Sequence, residues 1–130
     1  MALGCGLNIS ESKLLEENGH AHFITKRFDR EGNTKHHMQT LCGLQHFDYI
    51  EMHSFSYEQV FQTMRQLRLT YPEAEQMYRR IVFNVLATNY DDHTKSFSFL
   101  LKKDQKWTLA PAYDLCFSFD PSNQWVNQQT

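Results

Sequence analysis

Between Asn89 and Ser96 the chain reads Asn-Tyr-Asp-Asp-His-Thr-Lys-Ser, which packs two carboxylates, an imidazole, an amine and a hydroxyl into one short stretch. Both flanks are largely apolar, Ile81 to Leu86 before it and Phe97 to Leu101 after it. Polar groups held on a loop between packed elements are where catalytic side chains concentrate. Phosphoryl transfer needs one carboxylate to orient the acceptor hydroxyl and a second to hold Mg²⁺ against the phosphates. Asp91 suits the first task and Asp114 the second. In a protein-kinase loop a further metal ligand stands five residues after the first carboxylate. Here that position carries the hydroxyl of Ser96. Lys95 can neutralise charge that builds up on the transferred group.

These residues need elements to position them. Thr70 with Glu73 forms a capping box, and Pro72 falls in the first turn, where its missing N–H costs little. From there Met77, Tyr78, Ile81, Val82, Val85 and Leu86 make a wide stripe, which predicts a central core helix ending near Thr88-Asn89. The reactive stretch follows at once. Phe97 to Leu101 and Lys106 to Leu109 then predict two strands around the polar turn Lys102 to Gln105, closed by Pro111. Such a reversal brings Asp114 back beside Asp91. Upstream, Ser56 with Gln59 caps another helix whose apolar face is Val60, Phe61, Met64 and Leu67.

Nearer the start, Asn18-Gly19 between Lys13–Glu17 and His20–Arg27 predicts a type I′ hairpin. Alternation of Ala21, Phe23 and Thr25 with His22, Ile24 and Lys26 suits a partly covered second strand. Asp29 to Asn33 reads as a turn. Met1 to Leu7 reads as the tail of a helix closed by Gly6, so the fold is expected to begin upstream. Met38, Leu41, Cys42 and Leu44 suggest a short helix inside the segment Lys35 to Ser54. The tail from Ser122 to Thr130 is polar.

Asn-x-Asp-x-His-x-Lys followed by Phe-Ser-Phe-Leu, and then Leu109-Ala110-Pro111-Ala112-Tyr113-Asp114, resembles the HipA family of bacterial toxin kinases. Lys26-Arg27-Phe28-Asp29-Arg30 is similar to that family's hinge, normally Glu-Arg-Phe-Asp-Arg. The resemblance spans most of Leu14 to Asp114. It implies an α+β, protein-kinase-like C-lobe fragment with an N-terminal β-hairpin, a mostly helical middle, a catalytic loop and a short β-hairpin. Residues 1–34 would be the hinge-side hairpin and 35–130 the upper C-lobe, with the N-lobe phosphate loop and C-terminal helices absent.

The resemblance further implies a serine/threonine protein kinase using ATP and Mg²⁺. Asp91 would be the catalytic aspartate, supported by His93 and Lys95. Asp114 would bind Mg²⁺ with Ser96, and Lys26 and Phe28 would meet the adenine. Its implied partners are an aminoacyl-tRNA synthetase as substrate and a HipB-like DNA-binding antitoxin. Two departures stand out. Ser96 replaces the family's Asn, a shorter neutral ligand expected to hold Mg²⁺ less tightly, and Lys26 replaces the hinge Glu. No Gly-rich phosphate loop occurs in the chain, so as a slice it is expected to turn over weakly or not at all.

Composition bounds the alternatives. The 130 residues are 41% hydrophobic and 22% charged with a net charge of −2, as in a globular domain rather than a nucleic-acid binder. No run approaches the roughly 18 apolar residues of a membrane helix, and no secretion signal opens the chain. Three widely spaced cysteines, Cys5, Cys42 and Cys116, read as free thiols of a cytoplasmic protein. Two other classes remain open. One is a metal-dependent hydrolase built from Asp91, Asp92 and His93 with His36 or His37. The other is a non-catalytic half that binds a partner supplying the missing lobe. His36-His37 otherwise reads as surface, Tyr78 and Phe83 as core or flank, and Trp107 as hairpin packing.

Overall fold

A computed structural model describes residues 1–46, 55–89 and 91–118. It is a mixed α/β arrangement with small antiparallel sheets and three helices. Tyr90, the end of the Lys35–Ser54 segment and the polar tail lie outside the described residues.

The local signals act where residue chemistry demands them. Gly6, at φ 74°, closes a 3₁₀ turn over Leu3–Cys5. β1 (Ser12–Glu17) pairs with β2 (His20–Thr25) through Asn18 and Gly19, both at positive φ, as a type I′ turn requires. The expectation of a partly covered β2 fails. Leu14 and Phe23 stand opposite each other and are 68% and 71% exposed, so that face stays largely open.

A second ribbon pairs β3 (Arg30–Glu31) with β4 (Thr34–Lys35). β5 (His37–Thr40) leads directly into α1 (Leu41–Gln45), capped by the Thr40 hydroxyl, which accepts from the Gly43 N–H at 3.0 Å. Met38 therefore belongs to a strand, and the expected helix starts at Leu41. The strand wins because β5 pairs along β6 (Ser98–Leu101), with Met38 opposite Leu100. β7 (Trp107–Leu109) completes the order β5-β6-β7.

α2 (Tyr57–Gln66) and α3 (Tyr71–Leu86) both begin at the predicted capping boxes. Glu73 does double duty: one carboxylate oxygen serves the box and the other accepts the Leu109 N–H at 2.6 Å. That bond ties the start of α3 to β7. The core gathers Leu41, Phe55, Val60, Met64, Met77, Phe97 and Phe99, with Phe61, Leu67 and Trp107 packed against it.

α3 is rotated from its predicted orientation. Met77, Arg80 and Asn84 form its buried line, whereas Tyr78, Val85 and Leu86 are exposed. The Arg80 guanidinium donates to the Ala110 carbonyl at 2.6 Å, and burial lowers its pKa to about 10. Polar bonding to the loop after β7 thus outweighs the wider apolar stripe in setting the helix face.

Candidate active site

The end of α3 fixes where the reactive stretch starts. Asn89 N–H donates to the Asn84 carbonyl at 2.9 Å and Thr88 N–H to the Val85 carbonyl at 3.4 Å, the pair of bonds of a Schellman closure. Thr88 occupies the left-handed position at φ 55°. Glycine usually fills that place, and a β-branched residue there carries strain that its surroundings must hold. The Ser118 N–H helps by donating to the Thr88 carbonyl at 3.1 Å.

Asp91, His93 and Ser96 come together. His93 Nε2 lies 4.0 Å from Asp91 Oδ1, and its Nδ1 lies 3.3 Å from the Ser96 hydroxyl. Asp91 is about half exposed at its side chain, so its carboxylate is open to an incoming group. Lys95 is exposed, and its carbonyl accepts from the Tyr113 hydroxyl at 2.5 Å. That hydroxyl also meets Ser98 Oγ at 2.5 Å, which joins the reactive stretch, β6 and the Tyr113-Asp114 loop at one point.

Asp114 follows at once, exposed and in the left-handed region at φ 57°. Burial raises the pKa of the nearby Cys116 thiol, and the carboxylates of Asp114 and Asp91 push it the same way. The link between the two segments is a hydrogen bond: the Asp91 N–H donates to the Ser118 hydroxyl at 3.0 Å. Phe28 stacks obliquely on Tyr113, with ring centroids 5.5 Å apart, which sets the hinge-like segment beside Asp114. Asp29 next to it is buried and held by both Arg27 nitrogens at 2.8 and 2.6 Å. Lys26 is exposed and pairs with Glu11 at 3.5 Å, and its backbone N–H donates to the Glu11 carbonyl. A cavity of about 420 Å³ opens at Asp114 between Phe23 and Thr25 of β2, Phe83 of α3 and Phe117.

Four residues matter here that the sequence reading left without a role. Asn89 and Tyr113 lie within the quoted motifs but were assigned nothing. Ser118 and Tyr57 carried no spacing signal. Tyr57 donates to Asp92, which is 1% exposed with its Oδ1 unpartnered.

Burial lifts the Asp92 carboxyl to about 7 from 3.8. An acid whose folded value is raised keeps its proton longer in the native state. Stability then falls as pH climbs from about 4 to about 7 and levels off above that. Asp92→Asn is expected to raise the melting temperature by several degrees at pH 8, with the gain shrinking toward pH 4. A gain independent of pH would show that burial of the charge is not the cause.

The hydrolase grouping does not form. His36 is buried and faces Glu31 at 3.3 Å, which also corrects its reading as a surface residue; Asp92 lies under Tyr57. Among the described residues, no three His, Cys, Asp or Glu side chains are grouped as metal ligands. Among the described residues no disulfide joins Cys5, Cys42 or Cys116. Among the described residues no helix is long and apolar enough to cross a membrane.

Comparison with known proteins agrees with this architecture. The family model described as the HipA-like C-terminal domain matches residues 1–130. No curated protein matches the sequence. Among solved structures, a chain of the Shewanella oneidensis MR-1 toxin–antitoxin complex of HipA, HipB and operator DNA superposes with a TM-score of 0.75 at 19% identity. The match covers 97% of this chain and 32% of that one, so this chain spans about a third of its relative's length. Taken with the family match over its whole length, the chain belongs to the HipA-like C-terminal domain family.

Proposed function

We propose that this chain is the catalytic-loop and metal-binding part of an ATP- and Mg²⁺-dependent serine/threonine protein kinase of a HipA-type toxin–antitoxin system. The carrying observation is that the segment carrying Asp114 is bonded on both sides to the stretch carrying Asp91, through the Tyr113 hydroxyl on the Lys95 carbonyl and through the Ser118 hydroxyl, which accepts the Asp91 N–H. Asp91, open to solvent, orients the acceptor hydroxyl and takes its proton. His93, between Asp91 and Ser96, supports the loop, and Lys95 offsets negative charge on the transferred group.

The donor set fits magnesium. This ion typically takes one or two carboxylates and leaves its remaining positions to water and phosphate oxygens, so a closed protein cage is not required. Asp114 would hold it with Ser96 as the neighbouring oxygen. When bound, Mg²⁺ neutralises phosphate charge and fixes the phosphates for transfer. Ser96 Oγ meets His93 Nδ1 and is a neutral donor, which is consistent with modest metal affinity. Phe28 stacks on Tyr113, the neighbour of Asp114, and a cavity opens at Asp114 on the side of β2 and α3. The Lys26 N–H is already bonded to Glu11, so its contact to adenine would come through its carbonyl.

The partners follow from the family. An aminoacyl-tRNA synthetase is the proposed substrate and a HipB-like DNA-binding protein the restraining antitoxin, in the cytoplasm. The structural relative, solved with HipB and operator DNA, supports the second. A second reading, a non-catalytic half completed by a partner, draws on the exposed Leu14, Phe23, Tyr78 and Leu86. Exposed apolar groups mark interaction surfaces where they form a contiguous patch.

The test is a calorimetric titration with ATP, with and without Mg²⁺. Wild type is expected to bind more tightly with the metal, and Asp114→Ala to lose more of that affinity than the roughly tenfold that loss of an outer-shell partner costs. In EDTA the two should coincide. Equal binding with and without Mg²⁺ in wild type would overturn the kinase reading and favour the non-catalytic half.

A further inference from the structure

We propose that Asn89, acting through Ser118, is a positioning residue that sets the placement of Asp91 relative to Asp114; the inference rests on the phosphotransfer reading of those two carboxylates. Asn89 is 1% exposed, and each polar atom of its side chain has a task. Its Nδ2 donates to Asn84 Oδ1 at 3.0 Å, on the buried line of α3. That bond fixes the amide plane, so Oδ1 must face away from the helix. There it accepts from the Ser118 hydroxyl at 3.4 Å and from the Cys116 thiol at 3.5 Å.

Ser118 completes the linkage. Its hydroxyl donates to Asn89 and accepts the backbone N–H of Asp91 at 3.0 Å, so donor and acceptor capacity are both used. Its own N–H is held by the Thr88 carbonyl at 3.1 Å. The segment carrying Asp114 is thus tied at its far end to the two residues flanking position 90. At its near end Tyr113 is tied to Lys95 and Ser98. Asp114 lies between these anchors, and each anchor grips the stretch that carries Asp91.

The residue types follow from this duty. An amide offers a donor and an acceptor on one rigid plane, which neither a carboxylate nor an apolar isostere can do. Glutamine has the same groups but a longer stem, which would shift the Ser118 hydroxyl. At Ser118, threonine keeps the hydroxyl and alanine loses it. Truncation at Ser118 leaves the Asp91 N–H without its acceptor and Asn89 Oδ1 with the Cys116 thiol alone, so that the tie on this side is reduced to that thiol and the backbone bond from residue 118 to the Thr88 carbonyl.

Mg²⁺ alone serves as the probe, titrated into the ¹⁵N-labelled chain while the amide resonances of Asp91 and Asp114 are followed. In wild type both are expected to shift with a common midpoint. Ser118→Ala and Asn89→Ala should raise that midpoint roughly tenfold, the range for residues that orient ligands without touching the metal. Ser118→Thr should restore it. Ser118→Ala serves as the mild variant should Asn89→Ala unfold, and melting temperatures are recorded for each. A midpoint unchanged in Ser118→Ala, or an Asp114 response without Asp91 in wild type, overturns the clamp and leaves the metal reading standing. Absence of any Mg²⁺ response in wild type overturns both.

Discussion

Asp91→Ala is expected to cut phosphoryl transfer by roughly a thousandfold while Mg-ATP affinity stays within about twofold, because a general base acts in the transfer step and contributes about 10²–10⁴ in rate. The contrast with Asp114→Ala carries the argument. Asp91 is half exposed and its nearest basic group, His93, stands 4.0 Å away, so its removal leaves no buried charge without a partner. Stability should barely move. A loss confined to the rate constant assigns Asp91 to the reacting hydroxyl; a loss of nucleotide binding as well would assign it to the metal. Single-turnover transfer from labelled ATP, alongside calorimetry, separates the two. Unchanged transfer in Asp91→Ala, measured on a chain that transfers, would remove it from the mechanism.

Phe99→Ala should destabilise the fold by about 3–5 kcal/mol, the range for truncating a core aromatic. Phe99 is fully buried on β6, the central strand of its sheet, opposite both Gln39 of β5 and Leu109 of β7. With no free space at the site, removal of the ring opens a cavity among Leu41, Met77 and Phe97. For a domain whose whole stability is about 5–15 kcal/mol, this approaches unfolding at body temperature. Val85→Ala is the informative companion. Its place in the apolar stripe of α3 marks it as core, yet it is 41% exposed, and a cost below about 1 kcal/mol is expected at such a surface position. Urea titration of both variants compares the two faces directly. A Val85→Ala cost above about 2 kcal/mol, the range for truncating a buried aliphatic side chain, would mean that α3 buries the face its apolar stripe predicts.

Much of the architecture was legible because the chemistry is local. Asn18-Gly19 specified a hairpin since few residue pairs accept two consecutive positive φ angles. Ser56 with Gln59 and Thr70 with Glu73 marked both long helices at their first turns, as each pair satisfies backbone donors within four residues. The order of Asp91, a two-stranded reversal and Asp114 was likewise readable.

The sequence by itself marked the first hairpin, the two long helices and the order of Asp91, the β6–β7 reversal and Asp114. The tertiary structure decided which side of each element faces inward. A period of 3.6 gives α3 an apolar stripe, but Arg80 is buried because the loop after β7 supplies an acceptor in the Ala110 carbonyl, and Asn84 because the Asn89 amide just beyond the helix donates to it. Asp92 differs from Asp91 by one position and by burial alone, since Tyr57 and the packed core close over it. Asn89, Ser118 and Cys116 meet only when the chain has folded back, because hydrogen bonds across nearly thirty residues leave no spacing to read.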